Sequence, residues 1–82
     1  MHIHMTKRYQ RHFSKLPPVA QQAILRALQY FDQPHRTQPL LCFEGIYELR
    51  AANWRVTWSR GETPDQVLLR NCGSHDLVLK RP

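Results

Sequence analysis

Residues 45–76 read GIYELRAANWRVTWSRGETPDQVLLRNCGSHD. Tyr47 and Leu49 alternate with Glu48 and Arg50, and Trp54, Val56 and Trp58 alternate with Arg55, Thr57 and Ser59. Successive side chains of a strand point to opposite faces, so each run predicts a half-buried strand with one apolar and one polar side. Ala51, Ala52 and Asn53 join the two runs. Asn is the one most able to take a left-handed backbone, and a hairpin is the economical connection. Arg50 and Arg55 then share a face, while Trp54 and Trp58 fall on the apolar side and read as core. Beyond the loop at 60–65, Val67, Leu68 and Leu69 are apolar in succession, as expected of a strand covered on both sides, and this predicts the central strand. Gly73 and Ser74 permit a sharp turn before His75 and Asp76, and Leu77, Val78 and Leu79 suggest a last short strand.

Outward toward the N-terminus, residues 1–5 alternate around Ile3 and fit an edge strand. His2 and His4 read as outward side chains of one strand face, and neither they nor His12 and His35 are expected to hold a metal. Thr6 can cap a helix whose apolar positions Tyr9, Phe13 and Leu16 recur at helical spacing, with Lys7, Arg8, Arg11 and Lys15 elsewhere on its surface. Pro17 and Pro18 end it, and a proline is tolerated in the first turn of the next helix, where its missing N–H has no partner anyway. That second helix is predicted over 18–31, with Ala20, Ile24, Ala27, Leu28 and Phe31 as its stripe, giving a helical hairpin that covers the sheet. Residues 32–39 hold two prolines and no periodic face, which predicts a connector; Leu40, Leu41 and Phe43 then lead into the strand hairpin.

Eighty-two residues make one domain with room for a single core. Twelve Lys and Arg against six Asp and Glu leave a formal net charge of +6, which points to a polyanionic partner, nucleic acid first. No apolar run approaches the roughly 20 residues of a membrane span and no signal-like start is present, so the chain reads as cytoplasmic. Cys42 and Cys72 stand far apart in no metal or redox spacing and are expected as reduced, partly buried thiols. No cofactor is expected.

The element order and four strings, Tyr47-Glu48-Leu49-Arg50, Asn53-Trp54-Arg55-Val56-Thr57-Trp58, Val67-Leu68-Leu69-Arg70 and Gly73-Ser74-His75-Asp76, resemble the RelE/ParE toxin superfamily over nearly the whole chain. The resemblance implies a single toxin domain over 1–82, of α+β class, with an N-terminal helical hairpin packed on a twisted, mainly antiparallel β-sheet. It implies a cognate antitoxin as partner. It also implies one of two activities: the RelE-like branch cuts messenger RNA, usually on the ribosome, whereas the ParE-like branch poisons DNA gyrase. A non-catalytic basic RNA-binding module is a third reading.

Cutting RNA without a metal requires the 2′-hydroxyl to lose a proton, the phosphate charge to be neutralised and the leaving 5′-oxygen to be protonated. By the resemblance Arg55 matches a phosphate-binding arginine, Arg50 lies beside it, and a guanidinium can grip two phosphate oxygens at once. His75 falls where the family places an acid–base residue, with Asp76 to orient it or Glu48 as a base. Arg50, Arg55 and His75 are therefore the expected catalytic set. Lys7, Arg8, Arg11, Arg70, Lys80 and Arg81 are the expected RNA phosphate contacts. Many RelE-like toxins place a catalytic tyrosine in a C-terminal segment, and no tyrosine follows Tyr47 here, so the resemblance implies a chemistry that is histidine-based, or reduced, or absent. The competing account makes Arg50 and Arg55 cross-strand charges of a solvated face.

Overall fold

The computed structural model describes residues 2–31, 37–40 and 42–82. The elements are β1 (His2–Met5), α1 (Lys7–Lys15), α2 (Pro18–Leu28), β2 (Thr37–Pro39), β3 (Ile46–Ala51), β4 (Trp54–Arg60), β5 (Gln66–Ser74) and α3 (His75–Lys80). The class is α+β, and the strands form one mixed sheet in the order β1-β5-β4-β3-β2. Three of its four pairings are antiparallel; only β1 runs parallel to its neighbour, with Ile3 opposite Val67 and Met5 opposite Leu69. The middle strand is therefore β4, not the one bearing Val67 to Leu69. Val67 and Leu69 enter the core from one face of β5, while Leu68, on the opposite face, stays half-buried.

Thr6 caps α1 as expected, its Oγ1 accepting from the Tyr9 N–H at 3.0 Å, and the same hydroxyl donates to the Arg70 carbonyl at 2.8 Å. One side chain thus starts the helix and ties it to β5. Helix α2 starts at Pro18 and stops at Leu28, three residues short of the predicted end, yet Phe31 still enters the core. Buried Tyr9, Ile24, Leu49, Val56, Trp58, Val67 and Leu69 make that core between α1, α2 and one face of the sheet. Trp58 stacks on Tyr47 with ring centroids 4.5 Å apart, meets the edge of Phe31 at 4.5 Å, and donates its indole N–H to Thr37 Oγ1 at 2.8 Å. A buried indole needs such a partner, and Thr37 on β2 supplies it.

Four expectations are corrected. Residues 37–39, placed in a connector, form β2, an edge strand where Pro39 leaves no ladder bond broken on its outer side; the rest of that connector, with His35, and Leu41 lie outside the described residues. Residues 77–79 belong to α3, not to a strand, because Ser74 Oγ accepts from the Leu77 N–H at 3.3 Å and opens a helical turn. No turn falls at Gly73: β5 continues to Ser74, with Gly73 at φ 149, and a Cβ there would lie 3.0 Å from Leu77 Cδ2. Its lack of a side chain lets the first turn of α3 lie close on the strand. In the hairpin, Ala52 and not Asn53 takes the left-handed backbone, at φ 57.

That alanine carries a testable cost. A non-glycine residue pays roughly 1–2 kcal/mol for the left-handed region, partly offset by glycine's greater entropy in the unfolded chain. Ala52→Gly is expected to stabilise the fold by about 0.5–1 kcal/mol, read as a higher denaturation midpoint with an unchanged slope.

The thiols differ from each other. Cys72 is buried and Cys42 exposed, and both are free. Burial pushes the Cys72 thiol up to about 12. Among the described residues no helix is long and apolar enough to cross a membrane.

Candidate functional site

The face of the sheet turned away from α1 and α2 carries the polar halves of the alternating strands. On β3 these are Glu48 and Arg50; on β4, Arg55 and Thr57, with Arg50 directly opposite Arg55 and Glu48 opposite Thr57. On β2 Gln38 stands opposite Glu48 from the other side. Helix α3 lies against β4 and β5 and buries Val78. This second layer changes what the polar face can do, because part of it is no longer in water.

Glu48 shows the effect most. Its carboxylate belongs to a residue only 2 % exposed. Arg55 Nε lies 3.4 Å from its Oε1, and His75 Nδ1 lies 3.6 Å from its Oε2. The Arg55 side chain is 19 % exposed and the His75 side chain 53 %. A buried carboxylate is costly unless charge and hydrogen bonds compensate it. Here the charges are close, but Glu48 Oε2 and Arg55 Nε make no hydrogen bond. Arg55 is held elsewhere as well, its Nη1 donating to the Ala52 and Trp54 carbonyls at 2.9 Å each. These two bonds fold the guanidinium back over the hairpin turn.

The predicted residues are thus partly brought together. Arg50, Arg55 and His75 share one face, with Glu48 linking Arg55 to His75. Asp76 does not orient the histidine; it is exposed in the first turn of α3, and the carboxylate beside His75 is Glu48. Arg55 is not a free surface charge, since burial of its partner draws it inward. Glu48 is the residue that sequence patterning undervalued. Its place in the alternation put it on the polar side of the sheet, and period 2 alone does not show that this position is buried.

Of the expected phosphate contacts, Lys7 and Arg11 sit one turn apart on α1, while Arg8 and Arg70 line one small cavity of about 210 Å³ with Thr6. Arg70 is partly committed: its Nε donates to the Pro82 carbonyl at 3.2 Å and its Nη1 to Ser59 Oγ at 3.5 Å. Lys80 is the last residue of α3, and Asn71 Nδ2 donates to the Arg81 carbonyl at 2.9 Å. The same Asn71 presents its Oδ1 to His12 Nδ1 at 2.6 Å, which occupies His12 in linking α1 to β5.

Between β2, the segment after it and α3 lies a cavity of about 510 Å³. Leu40, Phe43 and Leu79 give it apolar walls; Gln38, Glu48 and His75 are its polar groups. Cys42 stands at its edge.

No protein-family model matches the chain, and no curated protein matches it. Solved structures do. The toxin–antitoxin complex RelB–RelE of Methanococcus jannaschii aligns at a TM-score of 0.73 and 10% identity, covering 96% of this chain and 99% of that one. The complex RelBE2 of Mycobacterium tuberculosis aligns at 0.71 and 18% identity, over 90% and 96%. YafQ of E. coli aligns at 0.63 and 13% identity, over 93% and 94%. The fold is that of the RelE-like toxins.

Proposed function

We propose that this chain is the toxin of a type II toxin–antitoxin pair, acting in the cytoplasm as an endoribonuclease on ribosome-engaged messenger RNA. The observation that supports it most is the buried Glu48 carboxylate between Arg55 and His75, on a fold shared with proteins solved as toxin–antitoxin complexes. A surface charge cluster would not bury its anion. Buried polar groups short of hydrogen bonds are uncommon and concentrate at working sites.

In this reading the scissile phosphate lies against Arg50 and Arg55, whose guanidinium groups neutralise the charge that develops on its oxygens. His75 exchanges the proton with the RNA oxygens through Nε2, the ring nitrogen turned away from Glu48. Glu48 Oε2 is closed to solvent, so it acts through the imidazole and not on the RNA. Its Oε2 lies 3.6 Å from the ring's Nδ1, an electrostatic contact and not a hydrogen bond. Lys7, Arg8, Arg11, Arg70, Lys80 and Arg81 guide the strand, and an acidic antitoxin segment covers the same basic surface.

Induction in a bacterial host, with and without the product of the adjacent gene, tests the class. Messages should fragment within minutes of induction and growth should recover with the partner. Intact messages with a strong DNA-damage response would replace the nuclease by the gyrase-directed reading, and a harmless chain would end both.

Binding should also depend steeply on salt. Each single-strand phosphate contact contributes a slope of about −0.7 in log K against log salt, so six contacts give about −4. Filter binding of the purified chain to a short RNA across a salt series reads it; a flat response would remove the six cations from the interface.

A further inference from the structure

We propose that Asn71 is a positioning residue for His75: it fastens the far end of α3 so that the imidazole at the near end stays beside Glu48, an inference that rests on the RNA-cutting reading. Buried Glu48, Thr57 and Asn71 form one row across the sheet, Glu48 on β3 opposite Thr57 on β4, and Thr57 opposite Asn71 on β5. Neighbouring strands lie about 4.8 Å apart, so Glu48 and Asn71 are separated by about 10 Å. A helix rises about 1.5 Å per residue, which makes the step from His75 to Arg81 about 9 Å. The two lengths match, and α3 is held at both ends of the row. His75 Nδ1 lies 3.6 Å from Glu48 Oε2, and the Arg81 carbonyl accepts from Asn71 Nδ2 at 2.9 Å.

The orientation of the Asn71 amide follows from its backbone partners. The Cys72 N–H, 2.9 Å from Asn71 Oδ1, only donates, and the Arg81 carbonyl only accepts. Turning the amide over would break both bonds. Oδ1 is therefore the acceptor toward His12 as well, and His12 donates from Nδ1 at 2.6 Å. The two accepting bonds hold the amide against β5 and α1. The one donating bond passes that fixed position on to α3.

Helix α3 needs such an anchor because little else holds its far end. It has six residues, well short of the roughly 12 at which a helix becomes stable alone, and Val78 is the one it buries. Its near end is fixed by Ser74 Oγ, which accepts from the Leu77 N–H. Arg70 Nε meets the Pro82 carbonyl at 3.2 Å, one residue farther on and from a half-buried side chain. Asn71 is thus the buried anchor nearest the helix. Without its bond α3 is free to pivot about the Ser74 cap and carry the imidazole with it. A displacement of about 1 Å at a reacting group costs on the order of 10²-fold in rate.

Asn71→Asp tests the anchor, because a carboxylate keeps the acceptor for His12 and the Cys72 N–H but has no N–H for the Arg81 carbonyl. Turnover on a ribosome-engaged message should fall about 10–100-fold with KM within about twofold of the parent's, as when a group that orients a working side chain is lost. His12→Ala is the control for general loosening: it removes the bond to α1, leaves Asn71 joined to Arg81, and should keep the parent's turnover. In NMR spectra of the folded chains, the contact between the His75 ring and the Glu48 side chain should persist in His12→Ala and be lost in Asn71→Asp. If the buried charge keeps Asn71→Asp from folding, Asn71→Ala, uncharged and without a donor, takes its place with the same expected losses. Parental turnover in a folded Asn71 variant overturns the role. So does a turnover loss with the His75 contact intact, or an equal loss in His12→Ala. If the parent chain cuts no RNA the nuclease reading falls, and the NMR contact alone decides: unchanged in the Asn71 variant, it overturns the anchor.

Discussion

His75→Gln is expected to cut a ribosome-engaged message about 10²–10⁴ times more slowly than the parent while staying folded, because that is the usual contribution of a positioned acid or base. The fold should hardly notice. The His75 side chain is 53 % exposed, and Glu48 lies 3.6 Å from it. The helix it opens is started by Ser74, so the cap survives the change. Surface substitutions of this kind move stability by about 0.5 kcal/mol or less. The loss should fall on turnover, with RNA affinity nearly kept, since glutamine can still fill the space but neither takes up nor releases a proton. Single-turnover cleavage with circular dichroism on the same preparation separates the two. A variant that cuts at the parent's rate would remove the acid–base role and leave His75 as a helix-start residue near a buried acid.

How far the sequence spoke for this site depends on which layer is asked about. The alternation of Tyr47 and Leu49, and of Trp54, Val56 and Trp58, was legible because these residues enter or pack against the core under α1 and α2, and period 2 records it directly. The same alternation assigned Glu48 to the opposite face, correctly, but could not say that α3 and the segment after β2 come back over that face. A carboxylate looks alike in sequence whether it meets water or lies at 2 % exposure. The covering helix was itself missed: Leu77, Val78 and Leu79 form an apolar run too short to separate helix from strand by period. The discriminating signal was Ser74, three residues before Leu77 and followed by Asp76 in the first turn. Residues 37–39 were illegible for another reason, since a three-residue edge strand containing proline has no pattern to read. The parallel partner of β5 was hidden by distance along the chain: nothing in Val67 to Leu69 says that residues 2–5 lie beside them.

Arg55 then carries the second large expectation, and it reverses the view of Arg55 as a surface charge. Arg55→Ala should destabilise the fold by about 3 kcal/mol, toward the lower end of the roughly 3–5 kcal/mol seen when one partner of a buried pair is removed, since the Arg55 side chain keeps 19 % exposure. For a domain of this size that lowers the melting temperature by more than about 10 °C. The carboxylate would be left with His75 alone, and the hairpin turn would lose the two bonds Arg55 makes to Ala52 and Trp54 carbonyls. Lost cleavage in this variant therefore does not by itself show that the guanidinium touches phosphate. Two comparisons do. Arg50→Ala changes an exposed residue on the same face, so a loss of about 10²–10³ in rate there, at parental stability, reports charge stabilisation without the structural cost. The double variant Glu48→Leu/Arg55→Leu removes both charges and should regain much of the stability, because a buried ion pair replaced by apolar groups of similar volume is often neutral. The cycle of single and double variants, measured by denaturant unfolding, should give a coupling above about 1 kcal/mol. Additive single effects, or an Arg55→Ala variant as stable and as active as the parent, would return Arg50 and Arg55 to cross-strand charges on a solvated face.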